Sequence, residues 1–177
     1  LSYVALSLGL LFYAIAATST AIGKREVRRV HDGTYEGLSS DVAVEGAGWS
    51  WYLARMLGRI NTLSMRRVKG RYKDANEVEW WGAGTTVQEL QWHLTSQKLS
   101  LAGHPSLVAA TLGGWIFTGS HGSGGTLWTP AFGKIKVYDK EDEIVKVVSN
   151  KKVFFNDHAT MAEQSRYIIL EVEVRPV

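Results

Sequence analysis

Two glycine-rich segments carry the residues best suited to chemistry: Gly46-Ala47-Gly48-Trp49-Ser50 and Gly119-Ser120-His121-Gly122-Ser123-Gly124-Gly125. Without a Cβ, backbone N–H groups crowd closely around an anion, and consecutive amides form a concave nest for phosphate oxygens. The hydroxyls of Ser50, Thr118, Ser120 and Ser123 are further donors. Such loops suit the buried diphosphate of a dinucleotide. Neither segment is a standard nucleotide motif. Trp51 stands where the third glycine of G-x-G-x-x-G belongs, and the second segment lacks the Lys-Ser/Thr of a P-loop, so a nucleoside triphosphate is unsupported. Each segment taken alone reads better as a tight turn.

The elements around these loops can be read from pattern and caps. Lys24–Val30 is short and amphipathic, and His31–Ser40 reads as a loop. Asp41–Glu45 alternates and runs into Gly46, as a strand feeding a glycine turn does. Ile60–Val68 reads as a short strand or turn, and Glu77–Trp81 as a strand ended by Gly82-Ala83-Gly84. Thr86 with Glu89 is a capping box, and Val87, Leu90 and Leu94 make one apolar stripe of the helix that follows. Leu107–Leu112 is a weak helical or extended stretch. Lys134–Asp139 and Glu143–Ser149 form a hairpin whose acidic turn, Asp139–Glu143, reads as solvated. Asn156 or Asp157 caps a short helix to Gln164, and Tyr167–Val174 is the final strand. The order gives an α+β domain.

Four segments in this order resemble the FAD-binding domain of the vanillyl-alcohol oxidase and p-cresol methylhydroxylase flavoproteins (the PCMH type), across nearly all of residues 24–177. The closest flavour is that of sugar-lactone and alditol oxidases and dehydrogenases. The family's G-x-G-H-S loop matches Gly46, Gly48 and Ser50, and its aGt-x-x-x-eL helix start matches Gly84, Thr85, Glu89 and Leu90. Its T-x-G-G…G-[ST]-H-G-[ST]-G segment matches Thr111, Gly113, Gly114, Gly119, Ser120, His121, Gly122, Ser123 and Gly124. The resemblance implies that these loops wrap FAD, with Ala47, Trp49, Thr118 and Ile168 as further cofactor contacts.

The sequence departs from that family in three places. Trp49 occupies the position of the histidine that many members bond covalently to flavin, so any FAD here is expected to be dissociable. Tyr167 stands at or near the place of a glycine before the last strand, where a bulky ring competes for flavin space. The last residue, Val177, falls where the family's substrate domain begins, so this chain is expected to lack that domain and to be a poor catalyst alone. His121 belongs to the loop motif and reads as a hydrogen-bonded structural histidine.

Leu1–Gly23 carries no charged side chain and is followed at once by Lys24, Arg25, Arg28 and Arg29. As a helix it reaches about 34 Å, enough for a hydrocarbon core of about 30 Å, with the basic flank on the non-translocated side. A transmembrane helix over 1–23 is the expectation. A signal peptide lacks its positive n-region here, and a buried core helix is the other reading.

In 177 residues, 45% apolar and 21% charged, there is room for one globular domain with its own core. A charge of +3 without a concentrated basic stripe argues against nucleic acid, and the absence of cysteine removes disulfides and thiolate metal sites. His31, His93, His104 and His158 lack metal-ligand spacing. Trp80 and Trp81 must face opposite ways, so one of them faces the core. Trp49, Trp51, Trp115 and Trp128 flank the glycine loops, where they can stack on a cofactor, plug its site, or pack a core.

These features lead to one expectation and one alternative. The expectation is a membrane-anchored FAD-binding subunit, non-catalytic or degenerate, that contacts lipid and the subunits of a larger membrane complex. The lactone-dehydrogenase resemblance points to the mitochondrial inner membrane. The alternative is an FAD-dependent oxidoreductase whose substrate domain lies on another chain or is missing here.

Overall fold

The computed structural model describes residues 24–30, 33–40, 43–45, 62–123, 131–149 and 165–177. Three short strands, β1 (Lys24–Glu26), β4 (Ala43–Glu45) and β5 (Thr62–Ser64), form a parallel sheet in the order β1-β5-β4. Between them β2 (Arg28–Arg29) and β3 (Tyr35–Glu36) pair as a two-stranded ribbon where the sequence reads as amphipathic segment and loop. Gly33 and Gly37 take positive φ in and after its turn.

The larger sheet is antiparallel, in the order β6-β7-β10-β8-β9. Its strands are β6 (Arg71–Lys73), β7 (Glu79–Gly82), β8 (Phe132–Asp139), β9 (Ile144–Ser149) and β10 (Tyr167–Val174). Strand β6 is absent from the sequence reading because Arg-Tyr-Lys carries no apolar alternation, yet it pairs with β7 from Arg71 opposite Trp81 to Lys73 opposite Glu79. The hairpin of β8 and β9 and the bounds of β10 are as the alternation predicts.

Central β10 is buried along nearly its whole length because both of its faces are covered. Helices α1 (Val87–Ser96) and α2 (Leu112–Thr118) bring Val87, Leu90, Leu94, Leu112, Trp115 and Ile116 against Ile169, Val172 and Val174. From the parallel sheet's side, Val27, Leu63, Met65 and Val68 pack on Ile168 and Leu170. A register shift between Ile169 and Glu171 leaves the Leu170 carbonyl free to accept the Ala83 amide at 2.8 Å. The capping box is present as read: Thr86 Oγ1 accepts from Glu89 N, and the Glu89 carboxylate accepts from Thr86 N at 2.7 Å.

Both tryptophans of β7 are buried at 5% exposure, not one. Trp81 joins the helix-side core, while the Trp80 indole donates to Asp74 Oδ2 at 3.0 Å and receives the Lys136 ammonium over its ring at 5.4 Å. The acidic turn is also not simply solvated. Asp139 is fully buried and takes Arg166 Nε and Nη2 at 2.7 Å each, with Lys146 as a second cation. The helix expected up to Gln164 lies outside the described residues. So do residues 1–23, and no helix among the described residues is long and apolar enough to cross a membrane.

Candidate cofactor site

Thr111 starts α2 as its N-cap, in extended backbone with Oγ1 accepting from Gly114 N at 3.2 Å. The next two amides are used as well: Leu112 N donates to Thr85 O at 2.8 Å and Gly113 N to Ala83 O at 2.9 Å. The two glycines therefore do not leave bare amides at this helix end, as the sequence suggests. They serve close packing instead. A Cβ on Gly113 would meet the Ala83 Cβ at 3.0 Å, and one on Gly114 would meet Thr111 Oγ1 at 3.1 Å.

The chain leaves α2 through Gly119 in the left-handed conformation (φ 61°) and turns its carbonyls toward the protein. The Trp115 indole, wholly buried, donates to Ser120 O at 2.7 Å, which makes Trp115 core and loop anchor and not a stacking surface. His121 Nδ1 lies 3.2 Å from Gly122 O, in the structural role read for it. Gly122 sits so close to the 104–106 segment that a Cβ would stand 2.6 Å from His104 O. With the carbonyls held this way, the amides of Ser120, His121, Gly122 and Ser123 find no hydrogen-bond partner among the described residues. Four adjacent unpaired amides are what an oxyanion requires.

The hydroxyls divide differently from the sequence reading. Thr118 Oγ1 gives its proton to Gly114 O at 2.8 Å, so at 2.7 Å from Ser120 Oγ it is the acceptor. Both protons are spent, and within this loop Ser123, exposed, keeps its own. Gly46, Ala47, Gly48, Trp49, Ser50 and Gly124 lie outside the described residues. Strand β4 delivers the chain to Gly46, with Glu45 opposite Ser64 of β5. Ser64 is 1% exposed and its hydroxyl has no partner among the described residues. It closes the central strand of a parallel sheet at the carboxyl end, where open sheets bind ligands. Sequence reading passes over Ser64, since a lone serine in Thr-Leu-Ser-Met gives no signal.

Ile168 is fully buried in the second core, so a cofactor would meet its main chain and not its side chain. The Tyr167 ring packs on the helix-side core with Arg166 and Lys146 each 5.6 Å from its centroid. Arg166 is itself fixed on Asp139, whose carboxyl the guanidinium holds well below the usual carboxylate range against the opposing effect of burial. This lock fixes the start of β10 to the turn between β8 and β9.

Residues 38–147 match the sequence pattern of the FAD binding domain family. The chain belongs to this family. No curated protein matches the sequence. Solved structures similar to this flavin domain include an alkyldihydroxyacetonephosphate synthase, 21% identical over 77% of this chain with a TM-score of 0.56. GilR, an oxidoreductase of gilvocarcin biosynthesis, is 17% identical over 76% with a TM-score of 0.56. A cholesterol oxidase from B. sterolicum is 13% identical over 77% with a TM-score of 0.54. These likenesses establish the fold. The flavin domain spans less than a third of each of those chains: 29%, 30% and 29% in the same order.

FAD is the cofactor of this domain, and the described residues fit it. Among the described residues the Ser120–Ser123 amides offer a diphosphate four donors without a partner, and Ser64 offers a buried hydroxyl that would otherwise be orphaned there at a cost of about 1–3 kcal/mol. Ser64→Ala is therefore expected to raise the stability of the FAD-free protein by about 1 kcal/mol while weakening FAD about three- to tenfold. Urea unfolding and flavin titration read the two signs separately. A variant that is less stable and binds FAD as before removes Ser64 from the site.

Proposed function

We propose that this chain holds FAD noncovalently as the cofactor-bearing part of a flavin-dependent redox assembly, anchored to a membrane through residues 1–23. In this reading the substrate pocket comes from outside residues 24–177. The observation that carries it is the run of four amides after α2 without a partner among the described residues, backed by carbonyls already committed to Trp115 and His121. When bound, FAD supplies hydride acceptance and reoxidation. The chain's own residues orient and bind: the Ser120–Ser123 amides hold the diphosphate.

Several of the chain's buried or capping carboxylates are committed to structure, which supports a holding role over a reacting one. Asp139 serves Arg166 and Lys146, Glu89 caps α1, and Glu173 accepts from Lys134 N at 2.8 Å and Arg175 Nε at 2.8 Å. Trp49 in place of a flavin-bonding histidine supports a dissociable cofactor. The uncharged run before Lys24 supports the anchor, and with it a place beside other subunits of a membrane complex. A second reading, a complete FAD-dependent oxidoreductase with its substrate domain elsewhere, is favoured by neighbours named as an oxidase and an oxidoreductase, of which this chain spans under a third.

Protein carrying residues 1–177 should turn yellow with FAD, and acid precipitation should release all of the flavin into the supernatant. Flavin that stays with the pellet contradicts a noncovalent link. Membranes containing the chain should keep it through alkaline carbonate and yield it to detergent; release by carbonate contradicts the anchor.

A further inference from the structure

A cleft of about 230 Å3 lies between β6 and the start of α1, lined by Lys69, Gly70, Arg71, Trp81, Thr85 and Glu89. At about 30 Å3 per molecule it has room for several waters. Its carboxylates are already engaged by donors of the fold. Glu89 takes Thr86 N, Thr86 Oγ1 and, at 2.6 Å, Lys69 Nζ, while Glu79 beside the cleft takes the Trp81 indole at 3.0 Å. His93, on the same wall, is tied to Gln97 at 3.0 Å and set against the Trp81 ring, 5.1 Å between centroids. The helix end adds nothing, since Val87 N, Gln88 N and Glu89 N already donate to Ala110 O, Val108 O and Thr86 Oγ1.

The donors are not spent. Arg71 Nη1 stands 3.8 Å from Glu79, beyond hydrogen-bond reach, so the guanidinium keeps its N–H fork while its charge is only loosely matched. Lys69 uses one of three N–H groups on Glu89. Thr85 is 4% exposed and its hydroxyl has no partner among the described residues. Between the two cations Gly70 leaves the cleft open: a Cβ there would meet nothing within 4 Å. One cleft is thus lined by a guanidinium with its N–H fork, an ammonium with two further N–H groups and a buried hydroxyl without a partner among the described residues, so donors outnumber the acceptors set against them.

We propose that this cleft binds a small oxyanion, the phosphoryl or carboxylate head of a metabolite, on the Arg71 fork with Lys69 and Thr85 as supporting donors. It lies on residues separate from the Ser120–Ser123 amides and does not depend on flavin binding. The test titrates the full chain, with and without saturating FAD, with sodium phosphate and separately with sodium acetate. Sodium chloride keeps the ionic strength constant, and tryptophan emission is followed. A saturable response to either anion that persists with FAD is expected, the tighter of the two naming the head group. Arg71→Ala should weaken it about tenfold or more, and Arg71→Lys, which keeps the charge without the fork, nearly as much. Thr85→Val should weaken it about threefold. Circular dichroism confirms that each variant is folded, and Arg71→Lys serves if Arg71→Ala is not. The proposal is overturned by the absence of any saturable response above the chloride control. It is equally overturned by a response that FAD abolishes, or by one that the Arg71 and Thr85 variants share unchanged with the parent.

Discussion

Gly84→Ala is expected to lower stability by about 3 kcal/mol or more. A Cβ on Gly84 would stand 2.0 Å from Met65 O and 3.0 Å from both Met65 C and Val68 O. All three neighbours are backbone, so no side chain can swing aside. The glycine cannot retreat either. Its own amide donates to Val68 O at 2.8 Å, Ala83 is tied to Leu170 O and Gly113 N, and the capping box fixes the chain two residues on. Gly70→Ala is the contrast. There the added methyl meets nothing within 4 Å and the cost is that of φ +97° alone, about 1–2 kcal/mol. Urea midpoints for the two variants should differ in that order. Equal midpoints would mean that the 65–68 turn yields, and with it the joint between the parallel sheet and β7.

Glu171→Gln should cost about 1.5–3 kcal/mol, the range for hydrogen bonds to a charged group, since the cations it leaves behind keep access to water. Glu171 is 1% exposed at the centre of β10 and joins four elements. Arg29 Nε stands 3.0 Å from Oε1, and Lys136 Nζ and the Tyr72 hydroxyl lie 2.8 and 2.7 Å from Oε2. Arg29 also stacks over the Tyr72 ring at 4.2 Å. The Tyr35 hydroxyl stands beside the carboxylate without hydrogen-bond geometry, and burial together with that negative charge pushes it well above the usual tyrosine range. An amide at position 171 leaves the Arg29 and Lys136 cations, each partly open to solvent, without their counter-charge. The ribbon of β2 and β3 then loses its fastening to the larger sheet, so exchange of its amides should rise first.

The same carboxyl sets part of the acid response. Burial raises Glu171, but the bonds from Lys136 and Tyr72 outweigh it and hold the folded-state value below the ordinary one. A depressed carboxyl stabilises fully above its unfolded value of about 4.3, and that stabilisation fades as pH falls through the folded value. Asp139, depressed chiefly by Arg166, acts in the same direction. Urea midpoints of the parent should therefore drop as pH goes below about 4, less steeply in Glu171→Gln, and least when Asp139→Asn is added. Unchanged acid limbs in both variants would place the titrating groups elsewhere.

Local rules were enough for much of the fold. The capping box of α1, the hairpin of β8 and β9, and β10 follow from caps and alternation because their own residues decide them. What escaped was decided across the chain. Arg71–Lys73 becomes a strand only because Trp80 and Trp81 offer it an edge, and Asp139 leaves solvent only because Arg166, 27 residues later, reaches it. At the site, glycine spacing points to the Gly119–Ser123 turn but does not say which atoms there keep a free donor. Gly113 and Gly114 serve packing and a cap, Thr118 and Ser120 spend their protons on each other and on α2, and the free donors are backbone amides that no side-chain motif encodes.

Hydrogen exchange at single-amide resolution, with and without FAD, tests this most directly. Saturating FAD should slow the Ser120, His121, Gly122 and Ser123 amides by about tenfold or more relative to the Leu112 and Gly113 amides, which are already bonded in the free protein. Saturable FAD binding with exchange at Ser120–Ser123 unaltered would place the diphosphate elsewhere and contradict the account.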